Sequence, residues 1–220
     1  PWATHMYADV CRILATCLNQ NPGVEAIVCP DYDWPSDPRL LNKVDSIVYY
    51  SRPAGDIVFS PEHQEQIREL MARGVGFTAI HWATGAETAV EKPYLSLLGG
   101  YFNFAFSGLK VDRLPLKQLL PDHPICRGWS NFVLRDEFYL NLKYSPEAKP
   151  LLQVQVDGVD QTVGWVLERP DGGRSFGTTL AHFHDNHLID EFRRMLVNGI
   201  LWTAKVDIHG SRVETGGCNP

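Results

Sequence analysis

Three histidines fall within six residues in Leu180-Ala-His-Phe-His-Asp-Asn-His187, where a strand-like pattern hands over to a helical one. Imidazole is the side chain whose unperturbed charge change lies nearest neutrality, and it is the commonest metal ligand. A cluster at an element junction therefore points to proton transfer or metal ligation. His182 and His184 are one residue apart, so a strand running on through them would aim both to the same side. That spacing is compatible with two ligands on one divalent metal such as zinc or manganese. Spacing alone does not separate a metal cage from a polar sugar pocket.

Two further places carry candidate chemistry. Thr78-Ala-Ile-His81 runs into Trp82-Ala-Thr-Gly85, a sharp strand-to-helix passage of the kind that holds a nucleophile in hydrolases. Imidazole at that position, in place of a thiol or hydroxyl, disfavours a Cys-dependent amidase or a serine esterase and leaves proton transfer or metal ligation for His81. The plainer alternative is a core histidine bonded to backbone. Asp136-Glu137 follows an apolar strand and is backed by Phe138 and Tyr139. A carboxylate held among aromatics has its charged form disfavoured, which suits a general acid or base. One of the pair could instead ligate a metal or orient a histidine, and Arg135-Asp136 could be a surface ion pair. Trp82 is the tryptophan placed to stack on a sugar face. Asp122-His123-Pro124 reads as turn chemistry.

The elements that must position these residues follow from periodicity. His5 to Gln20 carries Met6, Val10, Ile13, Leu14, Cys17 and Leu18 at helical spacing and stops at Asn21-Pro22-Gly23. Glu25–Cys29 and Asp45–Tyr50 read as buried parallel strands, with a turn-rich loop from Pro30 to Pro38 between them. Ser60-Pro61 predicts a helix start and Gly74 its end. Val75–Ile80 is a central strand, and a helix is expected from Ala86 to Leu98, closed by Gly99-Gly100. Tyr101 to Ser130 shows little periodicity and is expected to be loop and edge structure. Strands are expected at Asn131–Arg135, Leu151–Val156, Thr162–Glu168 and Ser175–Ala181, with a hairpin turn at Arg169-Pro-Asp-Gly-Gly173 and a last helix over Leu188–Ala204. Alternating strands and helices mean an α/β sandwich.

In open α/β sheets ligands bind beyond the carboxyl ends of the strands. That rule selects Ser51 and Arg52, His81, Asp136 and Glu137, and His182 and His184, with His5 ahead of a helix facing the same rim. Bulk numbers agree with a small polar ligand. The chain has 220 residues, 44% of them hydrophobic, and a formal net charge of −6 without a basic run, which argues against nucleic acid. Five cysteines without a CxxC pair build neither a disulfide framework nor a thiolate zinc site. No apolar run approaches the ~20 residues that span a bilayer, so no membrane partner is expected. A homo-oligomer is compatible with the pattern, and cytoplasm or periplasm both remain open. Residues 1–208 read as a single domain and 209–220 as a loosely ordered tail.

In order along the chain, Gly74-Val-Gly-Phe-Thr-Ala-Ile-His81, Leu98-Gly-Gly-Tyr-Phe102, Asp122-His-Pro-Ile-Cys-Arg-Gly128, Asp136-Glu-Phe-Tyr139, Gly164-Trp165, Ala181-His-Phe-His184 and Asn198-Gly-Ile-Leu-Trp-Thr-Ala204 resemble the ThuA-like, or trehalose-utilisation, proteins. The resemblance implies a flavodoxin-like three-layer α/β sandwich related to class I glutamine amidotransferases. The expected sheet is mostly parallel, with an added antiparallel strand region. Relatives usually carry a strand ahead of the loop holding His5, so a strand or a removed leader is expected before Pro1-Trp2. Many also have a histidine soon after the double glycine, where this chain reads Asn103-Phe-Ala-Phe106, and a ligand set built on that histidine does not transfer.

The resemblance further implies carbohydrate metabolism and 3-keto sugars. A carbonyl at C3 acidifies the C2 proton, so a positioned base forms an enediolate that reprotonates elsewhere or expels the C1 substituent. On this reading His81 or Glu137 removes the proton, and His184 with His182, directly or through a divalent metal, steadies the oxygen. His5 and Tyr139 hold sugar hydroxyls, and Arg52, Trp82 and Asp136 complete the binding set. The rivals are a non-catalytic sugar-binding module and a metal-dependent hydrolase.

Overall fold

The first helix, α1 (Tyr7–Leu18), buries Val10, Ile13, Leu14, Cys17 and Leu18 on one stripe, as their spacing requires. The computed structural model describes residues 4–29, 31, 33–210 and 212–214. After α1 come β1 (Ser46–Tyr49), α2 (Ala54–Val58), α3 (Gln64–Ala72), β2 (Gly76–Ile80), α4 (Glu91–Leu98) and β3 (Gly100–Tyr101). The second half supplies β4 (Gly108–Gln118), β5 (Phe132–Leu140), β6 (Lys143–Tyr144), β7 (Lys149–Val156), β8 (Val159–Glu168), β9 (Arg174–Thr178) and α5 (Asp190–Thr203). Seven strands form one sheet in the order β1-β2-β9-β8-β7-β4-β5, and β3 pairs with β6 separately.

The α/β class expected from the sequence is the one observed. The parallel part of the sheet is smaller than expected: β1-β2 and β2-β9 are parallel, while β9-β8, β8-β7, β7-β4 and β4-β5 are antiparallel. Alternation in β2 divides the core. Phe77 and Ala79 pack toward α2 and α4, whereas Ile80 belongs to the cluster formed with α1 and α5. Thr78, on the α5 side, reaches Thr203 Oγ1 at 3.1 Å. The double glycine has two separate reasons: Gly99 ends α4 in the left-handed region at φ +86°, and a Cβ on Gly100 would lie 2.7 Å from Tyr144 and 2.9 Å from Trp165. The hairpin turn is as expected, with Arg169 N–H donating to Gly173 O at 2.9 Å.

Four expectations need correction. Glu25–Cys29 is not a strand: it has no ladder partner among the described residues, and Ile27 is largely exposed. The helix expected from Ser60-Pro61 begins only at Gln64, because Ser60 Oγ bonds the His63 ring instead of capping backbone amides. Tyr101–Ser130 holds the eleven-residue strand β4, whose half-exposed and exposed residues alternate as in a ribbon wetted on both faces. Pro115 is tolerated there because β4 pairs with β7 only at Lys117 and Gln118, so one side of Pro115 has no ladder to break. Finally, part of the expected loose tail is docked: Val213 is buried, and its carbonyl accepts from Arg193 Nε at 2.9 Å. Residues 211 and 215–220, with Cys218, lie outside the described residues, as do Pro1-Trp2.

Candidate functional site

His81 is the first residue after β2 and takes φ +57°, the left-handed conformation of a strand-to-helix elbow. Its fully buried ring donates from Nδ1 to the carbonyl of Thr179 at 2.8 Å, since a carbonyl can only accept. Burial pushes its pKa down to about 3, with neighbouring His182 and His5 adding to the effect against Thr179 and Glu137. The neutral ring therefore carries its proton on Nδ1 and presents a bare lone pair at Nε2.

That lone pair is the meeting point. His5 Nε2 and His182 Nδ1 each stand 3.1 Å from His81 Nε2, and the three ligand atoms lie within 4.8 Å of one another. Glu137 Oε2 is 3.3 Å from His182 Nδ1 and 3.8 Å from His81 Nε2, and Tyr139 Oη is 3.4 Å from His81 Nε2. Burial works to raise the Glu137 carboxyl, but the hydrogen bond and charge of His182, with His81 and His5, outweigh it and hold the group below its ordinary value. Burial lowers His5, helped by His182 and opposed by Glu137. The Tyr139 hydroxyl is pushed well up by burial and stays a neutral donor. His5, His182 and Glu137 are each half-buried, so the cluster is reachable from solvent. Hollows elsewhere, one beside Trp129 and Asp190 and another beside Leu41 and Gln66, hold none of these groups.

Local backbone sets these positions. His5 (φ +54°) is carried by residues 4–5 pairing against 182–183, and Ala181 (φ +91°) turns the chain after β9. Three of the non-glycine residues at positive φ are thus in or beside this cluster. Such strain costs about 1–3 kcal/mol per residue and gathers where function over-determines the backbone. Asp136, fully buried, anchors the turn: its carboxylate accepts from Ala181 N–H at 2.7 Å, His182 N–H at 2.9 Å and Glu137 N–H at 2.9 Å. Burial raises Asp136 to about 6 against the pull of those amides.

Several placements differ from the sequence expectation. Asp136 and Glu137 sit inside β5, not after it, and alternation sends them to opposite faces: Glu137 to the cluster, Asp136 inward to hold backbone. Asp136 therefore touches no open space for substrate. His184 does not join His182, because the strand ends at Thr178 and a 3-10 helix over His184–Leu188 begins at His184, so no extended run carries both side chains. Its ring lies 6.1 Å from that of His187 instead. Arg52 is committed to Asp33 through two contacts of 2.8 and 2.7 Å. Trp82 does border the site, with its ring 6.1 Å from that of His5. Sequence reasoning missed Thr179, whose backbone carbonyl sets the His81 tautomer and leaves no side-chain signal. It also missed Tyr7, whose buried hydroxyl has no hydrogen-bond partner among the described residues and whose ring stands 5.7 Å from that of His5.

The sequence pattern of the ThuA family, described as trehalose utilisation, matches residues 11–203. The chain belongs to the ThuA family. Membership carries a role in carbohydrate metabolism. Among solved structures, a putative ThuA-like protein from Bacteroides uniformis superposes with a TM-score of 0.70 at 16% identity, covering 91% of this chain and 85% of that one. Another from Parabacteroides merdae gives 0.67 at 14%, covering 94% and 88%. The glutaminase domain of a Trypanosoma brucei CTPS gives 0.56 at 10%, covering 96% and 92%. These likenesses show the fold alone, an amidotransferase-like α/β architecture. No curated protein matches the chain. In this ThuA-family member the elbow position carries His81.

Proposed function

We propose that this ThuA-family chain is an enzyme that moves a proton on the carbon beside a sugar ketone, with Glu137 as base and the His5, His81 and His182 nitrogens facing the oxygen that gains charge. The supporting observation is the convergence of three imidazole nitrogens and one carboxylate on a single point. His81 is poorly suited to take the proton itself, since burial keeps it neutral to about pH 3. Glu137, ionised and half-buried, is suited to it.

For a 3-keto-glycoside, Glu137 removes the C2 proton and the C2–H pair becomes the C2=C3 bond of an enediolate, with negative charge on O3. Isomerisation moves the O2 proton to O3, and Glu137 returns its proton to C3, leaving a ketone at C2 and a hydroxyl at C3. Elimination instead reforms the C3 carbonyl, makes C1=C2 and breaks the C1–O bond, and Glu137 gives its proton to the departing oxygen. Tyr139 Oη is a neutral donor toward a substrate oxygen.

The donor set also fits a divalent cation such as zinc or manganese. Nitrogens about 2.1 Å from one ion stand roughly 3.0–3.4 Å apart, as His5 Nε2 and His182 Nδ1 each do from His81 Nε2. His81 Nε2 already presents a lone pair, and His5 Nε2 and His182 Nδ1 present theirs when each ring carries its proton on the other nitrogen. The cation would supply Lewis acidity toward a substrate oxygen.

The test is metal analysis combined with assays on methyl and aryl 3-keto-glucosides. Glu137→Gln is expected to lower turnover by about 10²–10⁴-fold with native circular dichroism, and His81→Ala to lose both turnover and metal. Activity unchanged in both variants overturns the assignment.

A further inference from the structure

The face of the β4–β5 ribbon that carries Glu137 and Tyr139 also carries an exposed apolar strip. In register, Val111 lies opposite Glu137 and Leu109 opposite Tyr139, and cross-strand partners share a face at about 4.5–5.5 Å. Val111 is 47% exposed and Leu109 41% exposed. A run of rings continues the strip: His81 to Tyr139 at 5.1 Å, Tyr139 to Phe102 at 4.5 Å, and Phe102 to Phe104 at 4.8 Å. Phe104 is 69% exposed at the tip of a tied turn. Asn103 Oδ1 accepts from Ala105 N–H at 2.8 Å, Asn103 Nδ2 donates to Ala86 O at 2.8 Å, and Phe102 N–H donates to Thr84 O at 3.1 Å. The turn is thus anchored to the same segment that follows the His81 elbow.

An exposed phenyl ring carried on a hydrogen-bonded turn and joined ring by ring to the cluster is arranged for a ligand. We infer that this strip is a binding subsite for an apolar, preferentially aromatic, group attached to the sugar, so that the substrate class is an aryl glycoside. The inference rests on the keto-sugar reading above and specifies its substrate. A sugar seated against Glu137 and the imidazoles leaves its C1 substituent within reach of the strip. Phe104, Leu109 and Val111 are too few for a stable protein partner, which takes roughly 20–30 residues a side, but offer apolar surface suited to a single ring.

The test titrates the full chain carrying Glu137→Gln, in which the proposed turnover is slowed, with the 4-nitrophenyl and methyl 3-keto-glucosides of one anomer by calorimetry. The aryl compound is expected to bind at least about tenfold tighter, as burial of one ring's apolar area allows. Adding Phe104→Ala with Val111→Thr, both at exposed positions, should bring the ratio close to one while methyl-glycoside affinity holds. Equal affinities, binding of neither compound, or a preference that survives the double substitution overturns the inference. So does a dimer in sedimentation that the double substitution dissolves, since the strip then covers a second copy. The two proposals fail separately: turnover of both glycosides at equal kcat/KM sinks the subsite alone, and an intact aryl preference without turnover of either sinks the reaction alone.

Discussion

Acidification from about pH 7 to about pH 5 should cost the folded chain roughly 2 kcal/mol through His81 alone. In the unfolded chain this imidazole has an ordinary value near 6.5, whereas burial in the fold holds it at about 3. Between those values the unfolded state binds a proton that the native state does not, so stability is complete above about pH 6.5 and is lost as pH falls. At about pH 5, some 1.5 units below the unfolded value, the loss at ~1.4 kcal/mol per unit is about 2 kcal/mol. His187, buried and lowered to about 4, adds a loss of similar size by the same sign. Asp136 works in the other direction, because a carboxyl raised to about 6 favours the fold once protonated. Comparing wild type with His81→Gln cancels the terms they share. The assay is urea unfolding followed by tryptophan fluorescence with a chelator present, at about pH 7, 6 and 5. Wild type should lose about 2 kcal/mol more than His81→Gln across that span. Parallel lines would mean that the folded chain protonates His81 by about pH 5, and its role as a lone-pair donor would fall.

Zinc should raise the melting temperature. At free zinc a hundredfold above Kd the gain is about 2.7 kcal/mol, or roughly 5–10 °C for a chain of this size. His5→Ala or His182→Ala should abolish that shift and His184→Ala should preserve it, since the His184 ring packs near His187 and not in the cluster; loss of the shift in His184→Ala would refute the placement. Asp136→Ala strips the acceptor from the amides of Ala181, His182 and Glu137. At about 1–3 kcal/mol for each buried donor left unmade, a loss of at least about 3 kcal/mol is expected in urea unfolding, with weaker zinc binding as the His182 turn loosens. A variant as stable as wild type would show that water replaces the carboxylate.

What could be read from the sequence was what repeats locally. The apolar stripe of α1, the β2 run ending at His81 and the Asp-Gly turn before β9 each depend on neighbours a few residues away, and each is where its pattern put it. Glu25–Cys29 looks like a strand because its side chains suit one, but a strand also needs a partner edge, and that information is not in the segment. The converse holds for β4: Lys110, Asp112 and Arg113 among Leu109, Val111 and Leu114 blur the alternation because both faces of the ribbon meet solvent.

The site was less legible for a geometric reason. His5 and His81 are 76 residues apart and His81 and His182 are 101 apart, so no spacing motif can announce their meeting. The spacing that did look like a motif, His182-Phe-His184, failed because the chain leaves the extended form at His184, the first residue of a 3-10 helix over His184–Leu188. Ala181, at φ +91°, turns the chain into His182, whose amide Asp136 holds from below while Glu137, the next residue on β5, meets its ring from above. Adjacent carboxylates on one strand point to opposite faces, so the pair divides into an anchor for the backbone and a group that faces the imidazoles, the proton acceptor of the proposed reaction. The inward acid can be exchanged only at the cost of three buried amides, whereas the outward one is half-buried and holds no backbone. The adjacency of Asp136 and Glu137 therefore has a structural cause: one strand position fixes the imidazole that the next position uses.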